Sequence, residues 1–350
     1  MDSVDILIIG GGIAGLATAR DLAQRGTGSI ALVDREVVPG FYASGHNAGI
    51  ARTLTGHLDH SRLALEGREA LAELGLLDPT GGLLLAMDAG RLEPLQKEAA
   101  TLGIENHRVE GSPTVGFNAA AHLRIPGDGV IDIHGLLGTC ARDARAAGVA
   151  LHFGAEVRHI LAHDLGFTVE TSEGAFRATT LVNAAGAWAS ALGQMAGGMN
   201  LELTPLRRHL AWSDHPCPSA PWAWWVDRPF YLRPESGGIL LCPCDEDRVP
   251  LPPPGQQPAT DTRQMEVLAE LAQELAPDLV EARPVRAWSG LRTFSPDRRF
   301  VIGWDPLNPR LFWVAGLGGH GMTAGLAVGR LAAELILDGR EQNLSPNRFS

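Results

Sequence analysis

A short apolar run that leads into three spaced glycines constrains the fold of this chain more than any other stretch. Residues 4–9 ("VDILII") are mostly apolar, as is typical of a strand buried on both faces of a parallel sheet. Gly10, Gly12 and Gly15 follow in the spacing G-x-G-x-x-G. Apolar residues then recur at helical spacing up to Gly26, a plausible helix end. The stretch predicts a strand, a tight turn and a helix, the first unit of an α/β domain.

Each glycine of this turn has its own physical role in binding a dinucleotide. Gly10 allows the sharp turn, Gly12 lets the backbone approach a pyrophosphate, and Gly15 lets the helix pack closely on the strand. The start of the helix, at Ile13 and Ala14, offers unpaired N–H groups and a partial positive charge. These five residues are therefore candidates for binding phosphate.

An acid ends the next predicted strand, "SIALVD". Asp34 lies 19 residues after Gly15, where a carboxylate accepts hydrogen bonds from a ribose. The same charge would repel a 2′-phosphate, so the pattern favours an unphosphorylated ribose. Arg35, which follows, is a further cofactor-binding candidate. The turn and the acid alone do not separate NAD from FAD.

Two later stretches favour FAD. "VNAAGAW" (182–188) predicts a second close approach of backbone to the nucleotide, at Ala185, Gly186 and Trp188. "GLGGHGMTAG" (316–325) is a glycine turn that opens a helix. A helix N-terminus aimed at the edge of a flavin stabilises the negative charge of the reduced ring. A chain that returns to its cofactor three times favours a large, bound FAD.

Composition excludes several classes of partner. With 350 residues and 45% hydrophobic content, the chain can form one large or two interleaved domains. The formal net charge is −11 and no Lys/Arg-rich run occurs, which argues against nucleic acid as a partner. No stretch reaches the length of a transmembrane helix, and no secretory leader pattern is present. We expect a cytoplasmic protein, with peripheral contact at the inner membrane left open.

The four cysteines match no zinc pattern, so we expect no metal site. Cys242 and Cys244 would face the same side of a strand. A buried thiol pair is the simpler interpretation, and a redox or metal role is the alternative.

The distribution of these elements predicts an α/β protein with two domains. We expect a discontinuous, Rossmann-like FAD-binding domain that comprises residues 1–78, 130–200 and 296–350. We expect an inserted α+β substrate-binding domain, built on an antiparallel sheet, that comprises residues 79–129 and 201–295.

Taken together, the motifs resemble the D-amino-acid oxidase superfamily of FAD proteins, which includes glycine oxidase, sarcosine oxidase and D-amino-acid dehydrogenases. The bacterial D-arginine dehydrogenase branch looks nearest. The resemblance covers nearly the whole chain and depends on the fingerprint, on "VNAAGAW", and on "SGHNAG" (44–49), "RPFYLRP" (228–234), "WSGLR" (288–292) and "FWVAGLGGHG" (312–321).

The resemblance implies further cofactor-binding residues. The loop 44–49 would pass the phosphates and the flavin, and Val157 would hold the adenine through its backbone. His46 lies in that loop, so a covalent histidyl–flavin bond is an open alternative. The glycine turn before the last helix would line the flavin edge. The candidates implied are Ser44, His46, Asn47, Ala48, Gly49, Val157, Gly290, Gly318, Gly319, His320, Gly321, Met322 and Thr323.

The resemblance also implies a site for a small carboxylate substrate. Arg292 matches the arginine that grips the carboxylate, Tyr231 the tyrosine beside it, and Arg208 a second active-site arginine. An arginine fork pairs bidentately with a carboxylate, and a tyrosine hydroxyl adds a donor. For Arg208 a structural role is the alternative. His320 is either a substrate-contacting residue or a structural histidine.

The implied reaction is oxidation of the Cα–N bond of a small or apolar amino acid, of D configuration by the resemblance. Hydride transfer to flavin N5 gives an imino acid, which hydrolyses to a 2-oxo acid and ammonia. "TGGLLLAMD" (80–88) offers no acid before Asp88, which argues against cationic substrates. Trp222 and Trp224 would form an aromatic pocket wall.

Two other functions are open. An FAD-dependent 2-hydroxy-acid oxidase or dehydrogenase would need the same carboxylate anchor and a base, for which His320 or His209 is available. A flavin-bearing subunit of a larger complex is the other. The motifs leave the electron acceptor open between oxygen, a quinone and another oxidant.

Overall fold

The computed structural model describes residues 1–113, 116–217, 220–340 and 342–350. Within these residues the strands are β1 (Asp2–Ile9), β2 (Ile30–Asp34), β3 (Ile50–Ala51), β4 (Leu77–Asp78), β5 (Gly82–Ala86), β6 (His107–Glu110), β7 (Ala121–Ile125), β8 (Gly129–Ile131), β9 (Ala150–Phe153), β10 (Val157–His163), β11 (Gly166–Thr171), β12 (Gly174–Asn183), β13 (Thr204–Ser213), β14 (Trp222–Trp225), β15 (Phe230–Glu235), β16 (Gly238–Cys242), β17 (Asp247–Arg248), β18 (Arg286–Phe294), β19 (Val301–Trp304) and β20 (Leu311–Ala315). The α-helices are α1 (Ile13–Gln24), α2 (Leu58–Glu73), α3 (Glu93–Leu102), α4 (Ile133–Ala146), α5 (Ala189–Met195), α6 (Thr262–Leu275) and α7 (Gly321–Asp338).

The first large sheet has the strand order β10-β11-β12-β1-β2-β9, and β20 extends it beside the end of β12, with β19 paired to β20. Strand β1 lies between β12 and β2, parallel to both. Its side chains alternate between two cores. Ile6 and Ile8 pack under α1, α4 and α7, whereas Leu7 and Ile9 pack on the opposite face. The apolar run of β1 is thus explained by burial on both faces.

The second large sheet has the order β17-β13-β16-β15-β14-β5-β7-β6, and β18 pairs with β13. Its strands pair antiparallel except for β5 and β14, which are parallel. Helix α6 covers one face through Leu268, Leu271 and Leu275. A small third sheet, β3-β8-β4, completes the set. The predicted α/β fold class is confirmed.

The large sheets take their strands from the two sets of segments expected for two domains. The strands of the first sheet lie within residues 2–34, 150–183 and 301–315. The strands of the second sheet lie within residues 82–125 and 204–294. The exact domain boundaries stay a prediction.

The carboxyl ends of β1, β2, β12 and β20 meet at one edge of the first sheet because these strands are parallel. Turns that follow buried parallel strands are where α/β proteins bind nucleotides. No helix in the described part of the chain has both the length and the apolar content that a membrane span requires.

Candidate active site

A cavity of about 350 Å³ opens at this edge and extends to the second sheet. Twenty-two of the predicted site residues line it: Gly10, Gly12, Ile13, Ala14, Asp34, Arg35, Ser44, His46, Asn47, Ala48, Gly49, Val157, Ala185, Gly186, Trp188, Tyr231, Arg292, Gly318, Gly319, His320, Gly321 and Met322.

Four predicted residues lie outside the lining: Gly15, Gly290, Thr323 and Arg208. A Cβ at Gly15 would lie 1.9 Å from the carbonyl oxygen of Gly10, so this glycine serves the close packing of helix on turn. A Cβ at Gly290 would lie 2.9 Å from a carbonyl oxygen of the loop 44–49. Thr323 donates its hydroxyl to the backbone of β3. These positions support the cavity wall from behind.

The glycine turn has the shape and the donors for a phosphate. Gly10 has a φ of +120°, and a Cβ there would lie 2.3 Å from the carbonyl oxygen of Ala184. Gly12 precedes α1 without a side-chain cap, and a Cβ there would meet only Ser44 Oγ, at 3.1 Å. Ser44 Oγ accepts a hydrogen bond from Ile13 N at 3.0 Å. Apart from the Ile13 N–H, which Ser44 binds, the N-terminal end of α1 therefore faces open space in the cavity.

Asp34 makes contacts that the sequence did not reveal. Its carboxylate accepts hydrogen bonds from Gly11 N at 2.5 Å and Glu36 N at 2.7 Å. Burial raises the pKa of Asp34, an effect that these two backbone bonds oppose. The acid thus fastens the glycine turn to the end of β2, and its contact with a ribose stays a prediction.

Arg35 lies over the indole of Trp188, and its guanidinium carbon is 3.9 Å from the ring centroid. It also bonds Glu36 at 3.0 Å and the hydroxyl of Tyr42. Glu36 and Tyr42 line the cavity as well, although the motifs did not single them out. This cluster builds the end of the cavity nearest β2.

His46 carries an unsatisfied polar atom. Its Nδ1 is buried and has no hydrogen-bond partner among the described residues. Burial lowers the pKa of His46 below its ordinary value, so the ring is neutral at pH 7. An orphaned ring nitrogen in a cavity wall fits a polar cofactor group as its missing partner.

Arg292 provides an unpaired charge at the opposite end of the cavity. It is only 9% exposed, and none of the described residues forms a hydrogen bond or ion pair with its side chain. A Cβ at Gly319 would lie 3.6 Å from Arg292 Nε, so the glycine leaves room beside the guanidinium. A buried guanidinium without a partner is costly, and an anionic ligand would compensate it.

Tyr231 lies beside this arginine on β15 and is 1% exposed. Its ring stacks on Trp224, with centroids 4.4 Å apart and planes at 25°. Trp224 lines the cavity, but Trp222 is fully buried beneath Gly82 and does not. The aromatic wall predicted from two tryptophans is therefore made by Trp224 and Tyr231.

Arg208 already has protein partners. Its Nε donates to the carbonyl oxygen of Asp245 at 3.1 Å, and its Nη2 to Glu246 Oε1 at 2.9 Å. The structure thus does not bring Arg208 to the cavity, and its bonds favour the structural alternative. His209 is likewise fully buried, bound to Asp245 and to the backbone N–H of Asp261.

His320 occupies the N-terminal end of α7 and lines the cavity. Burial lowers its pKa well below the ordinary value, and the positive charge of Arg52 adds to the effect, followed by His60 and Arg292. The imidazole is therefore neutral at physiological pH. A neutral ring can accept a hydrogen bond in the cavity, but its lowered pKa makes it a weak base.

Arg52 is a cavity residue that sequence reasoning missed. Its Nε donates to the carbonyl oxygen of Leu54 at 2.8 Å, and its guanidinium lies 4.5 Å from the Trp224 ring centroid. Burial lowers its pKa to about 10. The available signal was its place in the sequence, three residues after the loop 44–49.

These observations fit FAD. The glycine turn would hold the pyrophosphate, the wall near β2 the adenosine part, and the turn before α7 the flavin edge. Because α7 has no side-chain cap, its N-terminal N–H groups are available to an anionic ring edge.

The chain belongs to the DAO family of FAD-dependent oxidoreductases, whose sequence profile matches residues 5–335. Among curated proteins it is 28% identical to glycine oxidase of Geobacillus kaustophilus, over 95% of this chain and 92% of that protein. It is 27% identical to the mitochondrial dimethylglycine dehydrogenase of Homo sapiens, over 99% of this chain but only 44% of that protein.

Solved structures agree on the fold. The glycine oxidase of G. kaustophilus superposes with a TM-score of 0.82 at 25% identity, covering 100% of this chain and 98% of that chain. L-proline dehydrogenase from P. horikoshii gives a TM-score of 0.88 at 22% identity, covering 99% and 98%. The predicted superfamily, FAD as cofactor, and the class of FAD-dependent amino-acid oxidases and dehydrogenases are confirmed.

Proposed function

We propose that this enzyme oxidises the Cα–N bond of a small α-amino acid or N-substituted amino acid. The unpaired guanidinium of Arg292 carries the proposal, because it lies at the end of the cavity remote from the phosphate turn. A relative at 28% identity over nearly the full length is named for glycine, the smallest amino acid.

Four residues at the substrate end of the cavity have roles in this reaction. The Arg292 fork binds the substrate carboxylate, and the Tyr231 hydroxyl adds a neutral donor. Gly319 leaves space for the substrate, and Trp224 closes the wall on the far side. Positioning of this kind supplies much of the rate of a reaction between two bound groups. Bound FAD supplies the hydride acceptor, N5, and the imino acid product then hydrolyses to a 2-oxo acid and ammonia.

The amine must be unprotonated before hydride leaves the α-carbon. Burial and the positive charges of Arg52 and Arg292, which lower the pKa of His320 together with His60, also make the cavity unfavourable for an ammonium ion. Flavin reduction is therefore expected to accelerate as pH rises towards the pKa of the substrate amine.

The D configuration and an apolar side chain stay predictions from the sequence. Trp224 and Tyr231 support a small substrate, because they narrow the cavity beside Arg292. The electron acceptor and the cytoplasmic location also stay predictions.

A 2-hydroxy acid is the second candidate, and the neutral imidazole of His320 favours it. A hydroxyl must lose a proton as hydride leaves, and His320 lines the cavity as a neutral ring that can accept a hydrogen bond from that hydroxyl, although its lowered pKa makes it a weak base.

Anaerobic bleaching of the visible flavin band tests the proposal. The purified protein is mixed with D-, L- and N-methyl amino acids and with 2-hydroxy acids. Bleaching by small amino acids supports the proposed amino-acid oxidation. Admission of air to the reduced protein then separates an oxidase from a dehydrogenase. Bleaching by hydroxy acids alone transfers the assignment to the second candidate.

A further inference from the structure

We propose that the substrate is a small dicarboxylic amino acid, and that Arg52 binds its second carboxylate while Arg292 binds the first. The second carboxylate can be on the side chain or on the substituent of the amine nitrogen. This inference rests on the proposed function and narrows it. It replaces the apolar substrate side chain expected from the sequence with a group that carries a second carboxylate.

Two guanidinium groups face the substrate end of the cavity without an acid in contact. Arg292 has no hydrogen-bond or ion-pair partner among the described residues. Arg52 makes one hydrogen bond, from Nε to Leu54, and lies over Trp224. Its bond to Leu54 uses only one of five N–H donors. Most of the donors of both arginines therefore remain for a ligand.

The groups that act on Arg52 through space are the thiol of Cys244 and the carboxyls of Asp128 and Glu98, and each carboxyl has a bond elsewhere. Asp128 accepts hydrogen bonds from the backbone and hydroxyl of Thr53 and lies 3.9 Å from Arg68. Glu98 Oε2 accepts from a backbone N–H of the following loop, at Gly56. Both act on Arg52 only through space. No ion pair in the described part of the chain neutralises its guanidinium.

The charges along the cavity are separated. Among the described lining residues the carboxylates are Asp34, Glu36 and Glu156, all at or near the ends of β2 and β9. The described residues that line the substrate end include Arg52 and Arg292 and no carboxylate. One carboxylate compensates one buried charge, and a dicarboxylate compensates both.

Each arginine is associated with a different ring of one aromatic pair. Arg52 lies over the indole of Trp224, and that indole stacks on Tyr231, the neighbour of Arg292. His320 is influenced by both charges. Because each arginine is associated with a different ring, the arrangement suits two carboxylates a few atoms apart better than one carboxylate held by both arginines.

Dead-end ligands test the inference without turnover. Acetate and malonate are titrated into the FAD-loaded protein, and their dissociation constants are read from the perturbed flavin spectrum. We expect malonate to bind at least roughly tenfold tighter than acetate, about 1.4 kcal/mol. Arg52→Gln should abolish that preference and change acetate binding by no more than about twofold.

Arg62→Gln is the matched control, since it removes the same charge from an exposed position of α2. Arg52→Lys should restore part of the malonate preference, and flavin content reports that each variant is folded. Equal weakening of acetate and malonate by Arg52→Gln would overturn the inference, because it means that both arginines hold one carboxylate. Absence of any preference in the parent protein would overturn it too.

Matched substrates separate this inference from the proposed function. Sarcosine differs from iminodiacetate, and alanine from aspartate, by one added carboxylate. Faster flavin reduction by the dicarboxylic member of either pair, lost in Arg52→Gln, supports the inference. A malonate preference without bleaching by any amino acid supports the anion site and refutes the amine chemistry. Bleaching only by the monocarboxylic members refutes the inference and keeps the proposed function.

Discussion

Replacement of Gly12 by alanine should separate FAD binding from folding. Gly12 has φ −80° and ψ −178°, a conformation that alanine adopts without strain. The added Cβ meets only Ser44 Oγ, at 3.1 Å, and otherwise projects into open space where we place the pyrophosphate. The perturbation therefore acts mainly on the ligand.

The structure sets the size of both effects. Shifting Ser44 weakens its bond to Ile13 N, which costs the apoprotein about 0.5–1.5 kcal/mol in the free energy of unfolding. Moving a phosphate away from the helix N-terminus loses one or two charge-assisted bonds, each about 1.5–3 kcal/mol. FAD should bind roughly 10- to 10⁴-fold more weakly.

Titration of the apoprotein with FAD, followed by quenching of flavin fluorescence, measures the dissociation constant. Chemical denaturation of the apoprotein measures folding. Gly10→Ala is the contrasting variant, because its φ of +120° and the 2.3 Å approach to Ala184 destabilise the fold itself. Gly138 is exposed within α4, and a Cβ added there would meet no atom within 4 Å. Gly138→Ala should therefore raise the free energy of unfolding by about 0.5–1 kcal/mol and leave FAD binding unchanged. If Gly12→Ala binds FAD as tightly as the parent protein, the assignment of this turn to the pyrophosphate is wrong.

Arg292→Met should lower kcat/KM for flavin reduction roughly 30- to 5000-fold, which corresponds to about 2–5 kcal/mol of lost transition-state stabilisation, without loss of thermal stability. An unchanged kcat/KM would contradict the role of Arg292 as carboxylate anchor. Arg208→Met should instead lower the free energy of unfolding by about 1–3 kcal/mol, because it removes the bonds to the Asp245 carbonyl oxygen and to Glu246, which keeps only Arg298 as an ion-pair partner among the described residues. It should change flavin reduction by less than about tenfold. His60, whose pKa burial lowers to about 4, accepts a bond from Phe300 N. The unfolded state protonates first, so stability should fall as pH drops from 6.5 towards 4, by up to about 1.4 kcal/mol per pH unit. His60→Gln should flatten that slope in denaturation curves measured across this range.

Local patterns were sufficient for the nucleotide-binding unit. The apolar run and glycine spacing predicted β1, the turn and α1, because each depends on neighbours close in sequence. The aromatic wall was harder. Trp222 and Trp224 share a strand face, but only the end of the strand near the cavity contributes to it, and Gly82 accommodates the buried Trp222.

Charge pairing could not be predicted because it is non-local. Arg208 and Arg292 stand on neighbouring strands and look equivalent as sequence motifs. Only the return of the chain through Asp245 and Glu246 gives Arg208 its partners and leaves Arg292 unpaired. Arg52 was overlooked for the same reason, since no sequence pattern reports the absence of an acid.

The position of β1 in the middle of its sheet bears on how this protein is made. Its partner β12 ends at Asn183, and the cavity wall is complete only when the turn before Gly321 has been synthesised. Until β12 has been synthesised, the growing chain holds an apolar strand with one unpaired edge, which favours aggregation. The cofactor cannot be enclosed during most of synthesis, so FAD supply should limit the yield of folded protein late, at the docking of α7 on α1.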